Sequence, residues 1–213
     1  MKTSNCQAII FDFDGVIVES GQIKTQAFAE LYRSYGDAVV TAVVHYHQQH
    51  GGLSRYHKFR YFQQHLLNKP PLTLSEEQTL DRRFSELVME AVIASAAVSG
   101  AHEFIYQEAS RIPLFIASGT PESELKTIVT RRGLAPYFTA IHGAPTLKPA
   151  LIADILTTHN LVPETVLMIG DALIDYESAQ QNGIAFLGRV CPGDQNPFPE
   201  QVKTMPDLCA LIN

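Results

Sequence analysis

The run Ile9-Ile10-Phe11-Asp12-Phe13-Asp14-Gly15-Val16 constrains this chain more than any other stretch. Ala8 to Phe11 are apolar and β-prone, the pattern of a strand buried on both faces. Gly15 lets the backbone turn away, so Asp12 and Asp14 fall at or just beyond the carboxyl end of that strand. Carboxylates there cost free energy unless a cation or a set of donors compensates them. A single aspartate at a strand end commonly caps a turn. Two of them, alternating with Phe13 and followed by glycine, ask for a further explanation.

The remaining chain supplies the context. From 16 to 90 the pattern is helical, with segments expected near 22–35, 38–50, 55–68 and 75–95, and no convincing strand. Gly36, Gly51-Gly52 and Lys69-Pro70-Pro71 separate these segments. The spacing of Ser75 and Gln78 predicts a capping box at the start of the last one. A further helix is expected over 100–110. From 112 onward, strands at 112–117, 138–141, 165–169 and 184–187 alternate with helices at 121–132, 149–160 and 174–182. A short helix is expected over 207–212. Such alternation implies an α/β fold, a parallel sheet with helices on both faces. We expect a catalytic core from 1–15 and 91–213, interrupted by an all-helical cap domain at 16–90.

In open parallel sheets ligands bind beyond the carboxyl ends of the strands. The polar residues closing the first, second and fourth strands, Asp12/Asp14, Ser118/Gly119 and Asp171, are therefore expected to converge. Clustered aspartates repel one another, and a hard divalent cation such as Mg²⁺ relieves that repulsion. Ser118 offers a hydroxyl and Gly119 an unhindered N–H, both expected at a helix start where anions bind. Lys148, in Thr146-Leu147-Lys148-Pro149, adds a positive charge at the opening of another helix. Metal, lysine and helix N-terminus together suit a phosphoryl group. One carboxylate could attack phosphorus, and a second two residues on could handle protons.

With Asp12-Phe13-Asp14-Gly15-Val16, Ser118, Lys148-Pro149 and Gly170-Asp171-Ala172-Leu173-Ile174-Asp175 in view, the chain resembles the haloacid dehalogenase-like hydrolase superfamily. It looks most like the branch of phosphoglycolate phosphatases and β-phosphoglucomutases, which carry a helical cap. The resemblance implies a Rossmann-like three-layer core with strand order 5-4-1-2-3. It makes Asp12 the nucleophile and Asp14 the general acid/base. It gives phosphate binding to Ser118, Gly119 and Lys148. Asp12, Asp14 (through its backbone carbonyl) and Asp171 become Mg²⁺ ligands, with Asp175 behind them. It also makes Arg55, after the Gly51-Gly52 turn, a candidate for a distal anionic group; Lys58 is a second cation on the same segment. Glu19 stands where many relatives have aspartate, and Ala144-Pro145-Thr146-Leu147 lacks their usual small residue before the lysine.

The implied activity is a Mg²⁺-dependent phosphatase of a small phosphorylated metabolite. A phosphosugar mutase is the alternative, and a non-catalytic binding module a third. The net charge of −6 points to neither nucleic acid nor an acidic membrane. The 46% hydrophobic and 18% charged content is that of an ordinary globular chain. Cys6, Cys191 and Cys209, without a CxxC pair, suggest reduced thiols in a cytoplasmic protein. A monomer or weak homodimer is expected. The short apolar run after Lys2 is broken by Asp12 and Asp14, so neither a signal peptide nor a membrane span is expected. His45, His47, His50 and His57 are dense, but lack acidic or cysteine partners and are expected on exposed helix faces rather than around a metal. Phe59, Tyr61 and Phe62 are expected in the cap core.

Overall fold

A computed structural model describes residues 6–212. Strand β1, Ala8–Phe11, lies at the centre of a parallel sheet, with every residue buried. It is flanked by β2 (Leu114–Pro121) and β4 (Val166–Gly170), with Phe11 opposite Ile116 on one side and Ile169 on the other. β3 (Ala140–Ala144) and β5 (Ala185–Arg189) lie outside these. The observed order β3-β2-β1-β4-β5-β6 is the expected five-strand order seen from the other edge, extended by one strand. That addition, β6 (Thr204–Met205), pairs with Gly188 and Arg189 inside the Pro-rich tail. Two residues carry no alternation, so nothing in the sequence marked it as a strand. The expected terminal helix is a single 3₁₀ turn, Cys209–Leu211.

Successive residues of a strand point to opposite faces, and the two faces are covered separately. Ile9 and Phe11 pack with α5 (Ala101–Ala109) and α6 (Glu122–Arg131) through Phe104, Ile105, Leu125 and Ile128. Ala8 and Ile10 pack with α7 (Lys148–Thr158) and α8 (Leu173–Gln181) through Leu151, Ile152, Ile155 and Ala179. The result is a three-layer α/β core in which the carboxyl ends of β1, β2 and β4 lie side by side.

Between β1 and β2 run α1 (Gly21–Leu31), α2 (Asp37–Gln49), α3 (Arg55–Tyr61, continued by a π turn over Phe62–Leu66) and α4 (Leu74–Ala94). The capping box of α4 is Thr73 with Glu76, not Ser75 with Gln78. Thr73 has extended backbone and its hydroxyl accepts from the Glu76 N–H, while Glu76 returns to the Thr73 N–H at 2.8 Å. α4 also runs past residue 90. Its last carbonyls, from Val92, Ile93 and Ser95, converge on Arg132 at the end of α6. Phe28, Phe59, Phe62 and Phe84 make the centre of the helical block, with ring centroids 4.4–6.1 Å apart. Tyr61 lies at its margin, stacked on Tyr46 at 3.8 Å. Cys6, Cys191 and Cys209 form no disulfide. Among the described residues, no helix is long and apolar enough to cross a membrane.

Phe59 is fully buried against the rings of Phe28 and Phe84, so its truncation leaves a cavity that its neighbours fill only in part. Phe59→Ala is expected to lower unfolding stability by about 3–5 kcal/mol, measured by urea denaturation followed by circular dichroism.

Candidate active site

The strand ends bring the predicted carboxylates and lysine together. Asp12 leaves β1 with its N–H bonded to the Ile169 carbonyl at 2.9 Å and its side chain buried. Lys148 opens α7, ahead of Pro149, and its buried ammonium reaches across to Asp12 Oδ1 at 3.0 Å and to Asp175 Oδ1. Asp175 sits in the first turn of α8, where Oδ2 accepts from the Asp171 N–H at 3.1 Å and the Ala172 N–H at 3.0 Å. These bonds fix Asp175 and, through it, Lys148. Gly170 permits the arrangement, because a Cβ there would come within 2.4 Å of the Asp175 Cβ. Gly15, at φ +75°, does the same for Asp171, whose Oδ2 lies 2.1 Å from the position a Cβ would take.

Asp14 faces a different set of partners. Its carboxylate accepts from Ser20 Oγ at 2.6 Å, from Thr120 Oγ1 at 2.8 Å and from Lys24 Nζ. Lys24 also donates to Thr120 Oγ1 at 2.7 Å. Neither Lys24, Ser20 nor Thr120 was singled out from the sequence. Ser20 is the N-cap residue of α1 and Lys24 follows four residues on, in its first turn, a spacing that would have shown them as a pair. Thr120 stands next to Ser118 and Gly119 at the end of β2, and no spacing of its own marks it as a partner of Asp14. Glu19 forms a two-pronged ion pair with Arg189, which also holds the Gly15 carbonyl at 3.1 Å and so anchors the turn after Asp14.

Two expectations need correction. Ser118 and Gly119 do not begin a helix. They lie in the extended end of β2, whose register with β3 shifts between Ala117 and Pro121, and α6 starts only at Glu122. Ser118 is buried with its Oγ accepting from the Thr120 N–H at 3.1 Å. Gly119 gives room to the loop before α3: a Cβ there would meet the Gly52 carbonyl oxygen at 2.4 Å. Gly52 in turn rests on Ala172 and Ile174. Arg55 does not face a free pocket. It is 5% exposed and paired fork to fork with Glu124 of α6, with further bonds to Ser85 at 2.8 Å and Asp81 at 3.3 Å. Four consecutive contacts of this kind leave its guanidinium committed to joining α3 and α4 to the core. Glu124 carried no sequence signal, being one of two acidic residues in the first turn of α6.

Burial dominates the electrostatics. It raises Asp12 to about 6, assisted by Asp175 and Asp14 and opposed by Lys148. Asp171 is raised well above the carboxylate range by burial and then by Asp12 and Asp175. Burial alone would raise Asp14 and lower Lys148, but partners reverse both: Lys24, Ser20 and Thr120 hold Asp14 low, and Asp12 and Asp175 hold Lys148 high. Carboxylate oxygens of Asp12, Asp171 and Asp175 lie within 4.8 Å of one another. Asp12 Oδ1 has the Lys148 contact but no hydrogen-bond geometry. An all-oxygen donor set, in which Asp12 and Asp171 have raised affinities for protons and Asp12 Oδ1 is unsatisfied, fits a hard divalent cation.

A nucleophile-like carboxylate, a neighbouring lysine and an acidic cluster at the carboxyl edge of a parallel sheet define a hydrolase-type site. Residues 9–189 match the family described as haloacid dehalogenase-like hydrolase, and the chain belongs to that family. It is similar to a phosphorylated carbohydrates phosphatase of Thermotoga maritima, 26% identical over 84% of this chain and 82% of the relative. Its fold is similar to that of β-phosphoglucomutase from Clostridium difficile, with a TM-score of 0.78 and 16% identity over 97% of this chain and 93% of the other. CbbY from Rhodobacter sphaeroides, solved with phosphate, gives a TM-score of 0.74 and 18% identity over 97% and 96%.

The Arg55–Glu124 pair is buried, so removing one member leaves the other as an uncompensated charge. Arg55→Met is expected to destabilise the protein by about 3–5 kcal/mol. Arg55→Met combined with Glu124→Leu should lose much less, and comparing the melting of both variants checks this.

Proposed function

We propose that this chain is a Mg²⁺-dependent phosphatase that hydrolyses a small phosphorylated carbohydrate through an aspartyl-phosphate. The observation that carries the reading is Asp12: buried, aligned by Lys148, and beside Asp171 and Asp175. The relative from Thermotoga maritima, a phosphatase of phosphorylated carbohydrates, supports the substrate class.

Lys148 neutralises part of the negative charge that gathers when a phosphate approaches Asp12, and Ser118 lies at the same strand edge to receive a phosphoryl oxygen. An Asp12 carboxylate oxygen attacks phosphorus; the bond from phosphorus to the leaving oxygen breaks, and that oxygen takes a proton from Asp14. Asp14, now ionised, takes a proton from water as the water oxygen attacks phosphorus, releasing Asp12 and orthophosphate. In the observed arrangement Lys24 favours ionised Asp14, the form suited to the water step. To act as an acid Asp14 must exchange the Lys24 contact for the leaving group. Asp12, Asp171 and the Asp14 backbone carbonyl would hold Mg²⁺, with Asp175 orienting the set; when bound, the ion supplies charge neutralisation and substrate orientation.

The helical block is the cap of this reading, resting on the core through Gly52 and through Arg55 with Glu124. A seal of that kind also suits the phosphosugar mutase alternative, which must exclude water from the intermediate. Release of free phosphate, as opposed to conversion of a sugar phosphate to its isomer, decides between the two. A cytoplasmic enzyme, monomeric or weakly dimeric, is part of the proposal.

Purified protein is expected to hydrolyse p-nitrophenyl phosphate with Mg²⁺ and to lose turnover in EDTA. Asp12→Asn should lower kcat by roughly 10³-fold or more while melting as the parent does; retained turnover would remove Asp12 as the nucleophile. The pH dependence follows from the raised carboxylates. An aspartate whose folded pKa exceeds its unfolded value favours the metal-free fold at low pH and opposes it as pH rises through the folded pKa, here about 6 for Asp12. Protons therefore compete with Mg²⁺ below that value. The rise in melting temperature caused by Mg²⁺ should be larger at about pH 7.5 than at about pH 5.5, by differential scanning fluorimetry.

A further inference from the structure

Arg189 ends β5 and is 6% exposed, and its guanidinium serves three segments that are far apart in the chain. Nη1 donates to the Gly15 carbonyl at 3.1 Å. Nη1 and Nη2 both reach the Glu19 carboxylate, at 3.1 and 2.7 Å. Nε donates to the Pro206 carbonyl at 2.9 Å. The backbone beneath it is fixed by the sheet: Gly188 lies opposite Gly170 of β4, and Arg189 opposite Met205 of β6. The Glu19 side chain is 41% exposed, and an ion pair with so exposed a partner contributes little to stability. What the burial of Arg189 adds is a hold on two backbone carbonyls.

One of those carbonyls belongs to the residue directly after Asp14. Gly15 has φ +75°, and a glycine has no steric preference that would keep it there. Its conformation is set from outside. Its N–H donates to the Val18 carbonyl at 2.8 Å, and its carbonyl accepts from Arg189. Holding both sides of Gly15 also holds the peptide before it, which carries the Asp14 carbonyl. The Gly15 Cα packs against Asp171 so closely that a Cβ would lie 2.1 Å from Oδ2. The second carbonyl, Pro206, brings in the C-terminal tail. The two crossings between core and helical block are joined by Glu19 N–H to the Ala96 carbonyl, 2.9 Å, and Val98 N–H to the Ile17 carbonyl, 3.1 Å. The Leu208 N–H donates to the Ser99 carbonyl at 3.0 Å. The tail therefore grips the returning crossing, while Arg189 ties it to the outgoing one.

We propose that Arg189 is a positioning residue for the metal site, acting through Gly15 on the Asp14 carbonyl and on Asp171, with the C-terminal tail as its support. This rests on the phosphatase reading given above, in which Asp14 and Asp171 hold Mg²⁺. Arg189 itself touches no reacting group; its acceptors are Gly15, Glu19 and Pro206. Groups that stand behind metal ligands and orient them change metal affinity or activity by about 10–100-fold when they are lost. A lysine at 189 would keep the charge but not the planar fork that Gly15 and Glu19 share.

The test reads Mg²⁺ binding without turnover. Isothermal titration calorimetry of Mg²⁺ into the metal-free protein gives its Kd. Arg189→Met is expected to raise that Kd about tenfold or more, and Arg189→Lys to fall between Arg189→Met and wild type. Glu19→Gln leaves the bonds to Gly15 and Pro206 in place and should have a smaller effect than Arg189→Met. With saturating Mg²⁺ and p-nitrophenyl phosphate, Arg189→Met should lower kcat about tenfold or more while KM stays near the wild-type value. A purely structural role would lower the melting temperature and leave the Mg²⁺ Kd unchanged. That result overturns the inference and leaves the phosphatase reading standing. A raised KM with unchanged kcat also overturns it, because Arg189 would then bind substrate. A loss in Glu19→Gln as large as that in Arg189→Met places the action in the ion pair and overturns the route through Gly15. If the wild type neither binds Mg²⁺ nor hydrolyses any phosphomonoester, the phosphatase reading falls and takes the inference with it. Should Arg189→Met fold poorly, Arg189→Gln takes its place under the same criteria.

Discussion

The buried ammonium of Lys148 is the interaction on which the site depends. It stands between Asp12 and Asp175, and both carboxylates are nearly or fully removed from water. Without it, three aspartates at adjacent strand ends would repel one another in a medium that screens poorly. With it, Asp175 keeps two backbone N–H bonds, α8 starts directly against the end of β4, and Asp12 is held in one orientation. A residue that looks like a ligand holder is thus also what allows the carboxyl edge of the sheet to close around its charges.

Placement on rigid elements explains why so few bonds suffice. β1 is central, paired on both sides and apolar on both faces, so the position of Asp12 follows from the register of three strands. Lys148 and Asp175 begin helices that are packed on the same face of that sheet through Ile152, Ile155 and Ala179. Asp14, two residues further along, has left the strand and is held by Ser20 and Lys24 at the start of α1 and by Thr120 at the end of β2. Its partners are accordingly long or rotatable side chains, Lys24, Ser20 and Thr120, which suits the exchange of partners that the proposed acid/base role asks of it.

Much of this was legible in the chain because it follows from period and punctuation. The buried run before Asp12, the alternation after residue 112 and the helix start at Lys148-Pro149 each rest on local backbone preference, and the structure reproduces them. Local preference also explains the misses. Thr73 and Ser75 are both competent caps, and only the extended backbone at Thr73 decides between them. Ser118-Gly119-Thr120-Pro121 has the residues of a helix start, but pairing with β3 keeps it extended. The fates of Arg55 and Lys58 were beyond sequence altogether. Which of the two cations finds a carboxylate depends on Glu124, far along the chain and brought close to Arg55 only in the folded protein. The same holds for His47, whose inward turn toward Lys58 has no counterpart in the spacing of the cap histidines.

The approach of Gly52 to Gly119 is backbone against backbone, and Gly170 and Gly15 give similar clearance to Asp175 and Asp171. A join of this kind has no side-chain alphabet. It needs the glycines themselves, and beside it on α3 the buried Arg55–Glu124 pair adds a tie through side chains. Side chains of the block outside these contacts can therefore change while the surface along which it meets the core remains the same. Clearance for the join and the character of the remaining surface are separate requirements on one short loop and helix.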